Sequence, residues 1–271
     1  MPDDGSTVFS GSIPEIYEQI LVPLIFDPYA VELAVRLGDL TAGDLLEIAA
    51  GTGAVTRRLA ASLPAEVRIV ATDLNQPMLD HAAAVGTDRP VEWRQADVQA
   101  LPFADGSFDV AVCQFGAMFF PDRPAAYAEI RRVLRPGGRF LFDVWTQLAD
   151  SELAAAVVEA AAELFPDDPP RFLERIPHGY HDPVQLAADL RAGGFTAQPA
   201  IDVVDARSRA PSARDVAVGY CAGTPMYNEL VARDPDVLPV AVARATAALT
   251  ARFGATDLDA AIRALVVTVG R

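Results

Sequence analysis

One stretch of this chain restricts its fold more than any other. Asp44-Leu-Leu-Glu47-Ile-Ala49-Ala-Gly51-Thr52-Gly53-Ala-Val-Thr56-Arg57 is a short apolar strand that runs into a glycine turn and then into a helical pattern. A second apolar strand follows and ends in Asp73, twenty residues after Gly53. Strand, tight turn, helix, then a strand closed by a carboxylate is the layout of a nucleoside-cofactor site in a βαβ unit. Gly51 and Gly53 let the backbone turn sharply and leave no Cβ where a ligand must lie close. At the end of its strand Asp73 can accept hydrogen bonds from both ribose hydroxyls. The plainer reading makes it a helix cap or turn residue.

Charge narrows the nucleoside. Thr56 stands at the third glycine position of the pyrophosphate pattern, and Glu47 puts a carboxylate close to the turn. A carboxylate there repels a diphosphate, because like charges in a cleft interact strongly. It suits a cofactor with cationic groups and no phosphates. S-adenosylmethionine (SAM) carries an ammonium and a sulfonium. The rival enzyme reading is an NAD-dependent oxidoreductase on a similar sheet. The non-enzyme reading is a cofactor-binding scaffold.

Further along, Val91 to Gln114 reads as strand, loop, turn and strand, Pro121 to Leu134 as a helix, and Arg139 to Trp145 as another strand after the helix stop Arg135-Pro-Gly137-Gly138. Four pieces carry a resemblance: Glu47-x-Ala-x-Gly-x-Gly53, Ala71-Thr-Asp73-Leu-Asn-Gln-Pro-Met78-Leu, Ala96-Asp97-Val98-Gln-Ala-Leu-Pro-Phe, and Ile130-Arg-Arg-Val-Leu-Arg-Pro-Gly-Gly138. Over residues 44 to 146 the chain resembles the class I SAM-dependent methyltransferases, in the small-molecule branch that includes the ubiquinone and menaquinone methyltransferases. Ala49 departs from the pattern, since it holds the family's first glycine position, and its methyl predicts a slightly more open turn. The resemblance implies SAM as cofactor. It also implies an α/β fold: a doubly wound, Rossmann-like, seven-stranded sheet of order 3-2-1-4-5-7-6, its seventh strand antiparallel, with helical lid insertions.

The candidate residues follow the cofactor from end to end. Glu47, Ala49, Gly51, Thr52 and Gly53 run along the methionine portion, and Tyr17, on an N-terminal helix, is placed near the same end. Asp73 takes the ribose, and Leu74 and Met78 cover the adenine. Asp97 can accept from the adenine amino group and Val98 offers its backbone amide, although a turn cap is the plainer reading of Asp97. Arg57 reads as a solvated helix-face residue, with the methionine carboxylate as its other candidate partner. Gln114, Phe115, Met118 and Phe119 follow the fourth strand, which faces the transferred methyl across the switch point. Gln114 is counted with the cofactor and the other three with the acceptor, unless Phe115 and Phe119 are core. This loop lacks the Asn/Asp-Pro-Pro-Tyr/Phe motif of amino-group methyltransferases and an Asp pair for a magnesium-bound catechol.

His178, Tyr180 and His181 form a further cluster. Histidine is the natural base near neutral pH. His178 and His181 are therefore candidate general bases and Tyr180 an acceptor contact; surface-loop residues are the plainer reading. His81 reads as a surface residue.

Charge also excludes a class of partner. All 22 basic side chains are arginine, and the net charge is −15. Phosphate neutralisation drives nucleic-acid binding, so DNA, RNA and anionic membranes are poor matches. Arg131, Arg132 and Arg135 sit at a helix end, where cations offset the dipole. Cys113 and Cys221 lie far apart, which implies no disulfide and agrees with a reducing compartment. No closely spaced Cys/His set suggests zinc, so no metal is expected. No apolar run reaches membrane-spanning length, and the acidic start Met1-Pro-Asp-Asp lacks a secretory pattern. The expected partner is a small-molecule methyl acceptor, and the expected location is the cytoplasm.

The organisation is expected to be an N-terminal helical cover over residues 1–40 and a SAM-binding core over 41–146. A lid insertion at 147–181, a core helix and strand at 182–209, a second helical lid insertion at 210–258 and a final core strand at 259–271 follow. The first twelve residues are polar and expected to be loose, and helix over 13–40 is expected to break at Pro23 and Pro28. Predicted strands are 44–49, 67–73, 91–95, 108–114, 139–145, 195–206 and 261–269. Predicted helices are 53–62, 77–85, 122–134, 151–165, 182–192 and 237–253. Strands alternating with helices indicate a parallel sheet covered on both faces. The two insertions read as a lid over the substrate or as a homodimer surface. Missing catalytic motifs do not weigh against methyl transfer, because the cofactor carries the reactivity.

Overall fold

The computed structural model describes residues 13–271, so the polar start at residues 1–12 lies outside them. The chain divides into two compact units. A sheet unit holds Tyr29–Trp145, Tyr180–Val204 and Ala264–Arg271, and a helical unit holds the residues up to Pro28 with Thr146–Gly179 and Asp205–Arg263.

The strands are β1 (Gly43–Ile48), β2 (Val67–Asp73), β3 (Glu92–Gln95), β4 (Phe108–Gln114), β5 (Leu134–Trp145), β6 (Ala200–Ser212) and β7 (Thr256–Gly270). They form one sheet of order β3-β2-β1-β4-β5-β7-β6, the expected one. β1 to β5 pair in parallel, and β7 pairs antiparallel with β5. Helices Ala54–Ser62, Gln76–Val85 and Arg123–Val133 link the parallel strands. The order reverses between β1 and β4, where a doubly wound sheet opens its ligand crevice.

Alternate residues of the strands share a face. On one face Leu45, Ile69, Val110, Val112, Leu141 and Val266 are buried against Ala30, Leu33 and Ala34 of helix Asp27–Arg36 and Val55, Leu59 and Ala60 of helix Ala54–Ser62. A buried Leu or Val of this kind stabilises by about 1.5–3 kcal/mol. The same alternation carries Glu47, Gln114 and Asp143 onto this face at the carboxyl ends of their strands. Glu47 is in register with Val112, and Gln114 with Asp143. Three polar side chains thus cap an apolar layer.

Several boundaries differ from expectation. Pro23 does not break the N-terminal helix: Tyr17–Phe26 winds as a π-helix around it and leads directly into helix Asp27–Arg36, with Pro28 in its first turn. A wider turn accommodates the missing proline N–H. β5 starts at Leu134 rather than 139, through a register shift opposite Phe108 and Val110. β6 starts at Ala200 rather than 195, because Phe195 is buried beside Phe140 and Pro199 has no N–H to give a ladder.

In the helical unit, helices Glu152–Ala162, Ala213–Ala222 and Leu238–Phe253 pack together. The π-helix lies close to helix Ala213–Ala222, where a Cβ on Gly219 would meet Ile20 at 2.8 Å. Arg207 pairs with Asp259 and Arg263 with Asp205, each at 2.6 Å. Cross-strand charges of this kind register β6 against β7 and explain why both strands run longer than predicted. Among the described residues, no helix is long and apolar enough to cross a membrane.

Candidate cofactor site

The turn after β1 is built from left-handed residues. Ala49 has φ +55°, Gly51 +56° and Gly53 +85°. For alanine that conformation costs about 1–2 kcal/mol. Asp73 pins the turn: one carboxylate oxygen accepts the Gly51 N–H at 2.8 Å, and the other accepts the Asn75 N–H at 2.8 Å. Behind it the Ala50 N–H donates to the Thr72 carbonyl at 2.9 Å, and the Thr72 hydroxyl to the Glu47 carbonyl at 2.8 Å. Arg57 is not a solvated helix-face residue. It is half-buried and donates to the Thr52 carbonyl at 2.7 Å. A side chain at Gly53 would be tight as well as strained at its positive φ, since a Cβ there would lie 3.1 Å from Trp93 and 3.2 Å from Ala82.

Glu47 is fully buried, and its Oε2 has no hydrogen-bond partner. Burial pushes its carboxyl up from 4.5 to about 8; Thr56 and Arg57 offset part of the rise, and nearby Asp73 adds to it. The Thr52 hydroxyl is also buried and unpartnered. Burial raises Asp73 too, against the backbone N–H groups it accepts from. A buried acid of this kind is stabilised as a carboxylate by a nearby cation or by further hydrogen bonds.

The residues present fit SAM. The orphaned Glu47 oxygen answers a cationic group, as a diphosphate would not. Above Gly51 there is space, because a Cβ there would meet only the Met78 methyl, at 3.9 Å. Leu74 is 52% exposed at the end of β2, an apolar surface open to a ring. Asp97 is exposed and caps a short turn by accepting the Gln99 N–H at 2.9 Å, while Val98 is buried. The loop after it is held by Arg132, which donates to the Leu101 and Phe103 carbonyls at 2.9 and 2.8 Å and pairs with Asp105. Arg135 pairs with Asp44 and Asp109. These arginines tie loops together, a more specific task than the helix-dipole role read from sequence. Among the described residues no group of three or more His, Cys, Asp or Glu is placed to hold a metal.

After β4, Gln114 is half-buried and Phe115 is buried with φ +50°. The Phe115 ring stacks on Trp145 at 3.7 Å and meets Tyr29 edge-on at 5.4 Å. Met118 is buried and Phe119 half-buried. Tyr180 is buried in a polar network: its hydroxyl lies 3.2 Å from that of Tyr127 and donates to Asp189 at 2.8 Å, and Arg123 covers its ring at 3.9 Å. His181 is exposed. His81 is half-buried with an unpartnered, buried Nε2, which corrects its reading as a surface residue.

Tyr17 and His178 belong to the helical unit. Tyr17 stacks on Phe26 at 4.8 Å. His178 is buried, and its Nδ1 lies 2.8 Å from the Thr146 carbonyl, which keeps the proton of a neutral ring on Nδ1. Sequence reasoning missed Asp143, Trp93 and Gly116. Asp143 left a signal, a lone acid inside the apolar run Phe140-Leu-Phe-Asp143-Val-Trp145.

Residues 46–142 match the methyltransferase domain family. The ubiquinone/menaquinone biosynthesis C-methyltransferase UbiE of Dinoroseobacter shibae is 34% identical over 164 residues, which are 56% of this chain and 65% of that protein. The malonyl-[acyl-carrier protein] O-methyltransferase of Hahella chejuensis is 38% identical over 98 residues, 36% of this chain and 35% of that protein. The chain spans between 51% and 65% of the length of the quinone-methyltransferase relatives it matches. Among solved structures, the YcgJ protein of a Bacillus species shares the fold with a TM-score of 0.55 at 17% identity, covering 90% of this chain and 98% of that one. A Haemonchus contortus phosphoethanolamine N-methyltransferase in complex with S-adenosylhomocysteine shares it with a TM-score of 0.57 at 16% identity, covering 95% of this chain and 56% of that one. Over residues 46–142 the sheet unit is thus similar to the class I SAM-dependent methyltransferases, a family whose cofactor is SAM.

Two predictions follow from this geometry. Glu47 holds a proton in the folded, cofactor-free protein at pH values where the unfolded chain has lost it. Its contribution to stability is therefore whole below about 4.5 and is lost as pH rises to about 8. Melting temperatures of the native protein and Glu47→Gln should diverge in favour of the glutamine as pH rises from 5 to 8; a constant difference contradicts a titrating buried acid. Asp73→Ala should leave the Gly51 and Asn75 N–H groups without their acceptor and cost roughly 1–3 kcal/mol in urea unfolding. Unchanged stability contradicts the anchoring role.

Proposed function

We propose that the protein is a SAM-dependent methyltransferase whose acceptor is a small, partly apolar metabolite. The accepting atom is oxygen, carbon or nitrogen. One observation carries the reading: a fully buried, unpartnered Glu47 oxygen at a glycine turn that Asp73 closes. That arrangement favours a cationic nucleoside and disfavours NAD. The relatives' names divide between carbon and oxygen acceptors, so the accepting atom is left to experiment.

In this reading Glu47, Ala49, Gly51, Thr52 and Gly53 hold the amino-acid end of SAM, with Tyr17. Asp73 holds the ribose, Leu74 and Met78 cover the adenine, and Asp97 and Val98 read its edge. Gln114 meets the cofactor from the β4 side, and Phe115, Met118, Phe119 and Tyr180 shape the acceptor's surroundings. The cofactor supplies an activated methyl for in-line displacement. The protein's own residues align the nucleophile with it and exclude water. His178 and His181 are the candidate bases for an acceptor that must lose a proton. The two insertions, 147–181 and 210–258, are candidate substrate-lid or homodimer segments. Nucleic acids and membranes are not partners, and the cytoplasm is the site of action.

Calorimetry with SAM and NAD, and accumulation of S-adenosylhomocysteine with a panel of phenols, hydroquinones and amines, test this. SAM should bind and NAD should not, and at least one acceptor should yield the demethylated cofactor. Binding of SAM with no turnover on any class leaves the scaffold reading in place. Tight binding to duplex DNA or total tRNA at physiological salt contradicts the small-molecule reading. If His178 or His181 is the base, its Ala variant should turn over about 10²–10⁴ more slowly with SAM affinity kept.

A further inference from the structure

Phe115 is an unusual place for a left-handed backbone. A bulky residue at φ +50° persists only where its surroundings over-determine it. Four surroundings do so. The Phe115 N–H donates to Asp143 Oδ1 at 2.7 Å. Its ring is stacked on Trp145 and set edge-on to Tyr29. The next residue, Gly116, has no room for a side chain, since a Cβ there would lie 2.5 Å from the Ala49 methyl and 2.7 Å from the Cys113 sulfur. Gln114, just before it, is in register with Asp143.

Asp143 is fully buried on β5, and its Oδ2 has no partner. An acid is expensive there, and a hydrophobic residue would fill the site at less cost. What the acid adds is an acceptor for one N–H that no strand ladder satisfies. We propose that Asp143 is the positioning residue of the acceptor loop: its carboxyl clamps Phe115 and so fixes Gln114–Phe119 against the cofactor turn at Ala49. The consequence for catalysis rests on the methyltransferase reading; the clamp itself does not. Burial holds the Asp143 carboxyl well above the usual carboxylate range, which favours its uncharged form. An amide of the same shape should replace it, which a role for its negative charge would forbid.

The test uses the full chain and the variants Asp143→Asn and Asp143→Ala. Amide exchange at Phe115 and affinity for S-adenosylhomocysteine are measured with no methyl acceptor present. Asp143→Ala should speed Phe115 exchange by about tenfold or more, the loss of one buried hydrogen bond. Asp143→Asn should stay near native. Affinity for S-adenosylhomocysteine should fall in Asp143→Ala, because the clamp also sets Gln114 and the Ala49 turn, and stay near native in Asp143→Asn. With any acceptor that turns over, Asp143→Ala should lower kcat, and Asp143→Asn should restore it. Unchanged exchange in folded Asp143→Ala overturns the clamp, as does Asp143→Asn behaving like Asp143→Ala. If Asp143→Ala does not fold, Asp143→Asn decides: native exchange and melting support the clamp, and their loss overturns it. Failure of every acceptor leaves the exchange result standing, so the two readings fail separately.

Discussion

A carboxyl group held out of water at the end of β1 is the constraint around which this site is arranged. Glu47 sits two residues after Leu45, on the face of the sheet that carries the apolar layer with Val110 and Leu141. Nothing in the protein pairs its second oxygen. Burial of an unpaired acid opposes folding, and a cationic ligand would offset that cost. The cation that repays it must come close, and the glycine turn provides the approach. Asp73 holds that turn through the Gly51 N–H, so the ribose candidate is also a structural anchor.

The second arm of the crevice is joined to the first by contact. Ala49 and Phe115 are two of the few non-glycine residues with positive φ, and they follow adjacent strands. Gly116 fits against the Ala49 methyl. The methyl that departs from the family's glycine therefore has a place to go, and that place is the loop expected to face the acceptor. Strain at two elbows, locked by Asp143, Trp145 and the Ala49–Gly116 contact, gives a rigid pair of strand ends. Rigidity of this kind suits a displacement in which three atoms must stand in line.

Much of this was legible in the sequence. The strand order follows from the resemblance to the class I methyltransferases, and most element boundaries from alternating apolar runs, with Gly51, Gly53 and Gly137 as punctuation. The boundaries that moved depend on tertiary detail. Pro23 is absorbed by a π-helical turn, and Pro199 delays β6. The cross-strand pairs Arg207–Asp259 and Arg263–Asp205 lengthen β6 and β7, and local pattern does not report them. In the site, the motif residues Glu47, Gly51 and Asp73 stood out by spacing. Asp143, Trp93 and Gly116 did not, because their meaning lies in what they touch across the sheet. Arg132 and Arg135 were legible only as charges; their partners Leu101, Phe103, Asp44 and Asp109 come from other segments.

The central claim is that Glu47 is a protonated acid waiting for a cation. Calorimetric titration with SAM at pH 7, repeated in two buffers of different ionisation enthalpy, addresses it directly. A cation at Glu47 should lower its pKa from about 8 and drive its proton into the buffer. The account predicts release approaching one proton per SAM bound in the native protein, and none from Glu47→Gln, by proton linkage. Binding heats that do not depend on the buffer, or equal release from the glutamine variant, contradict it.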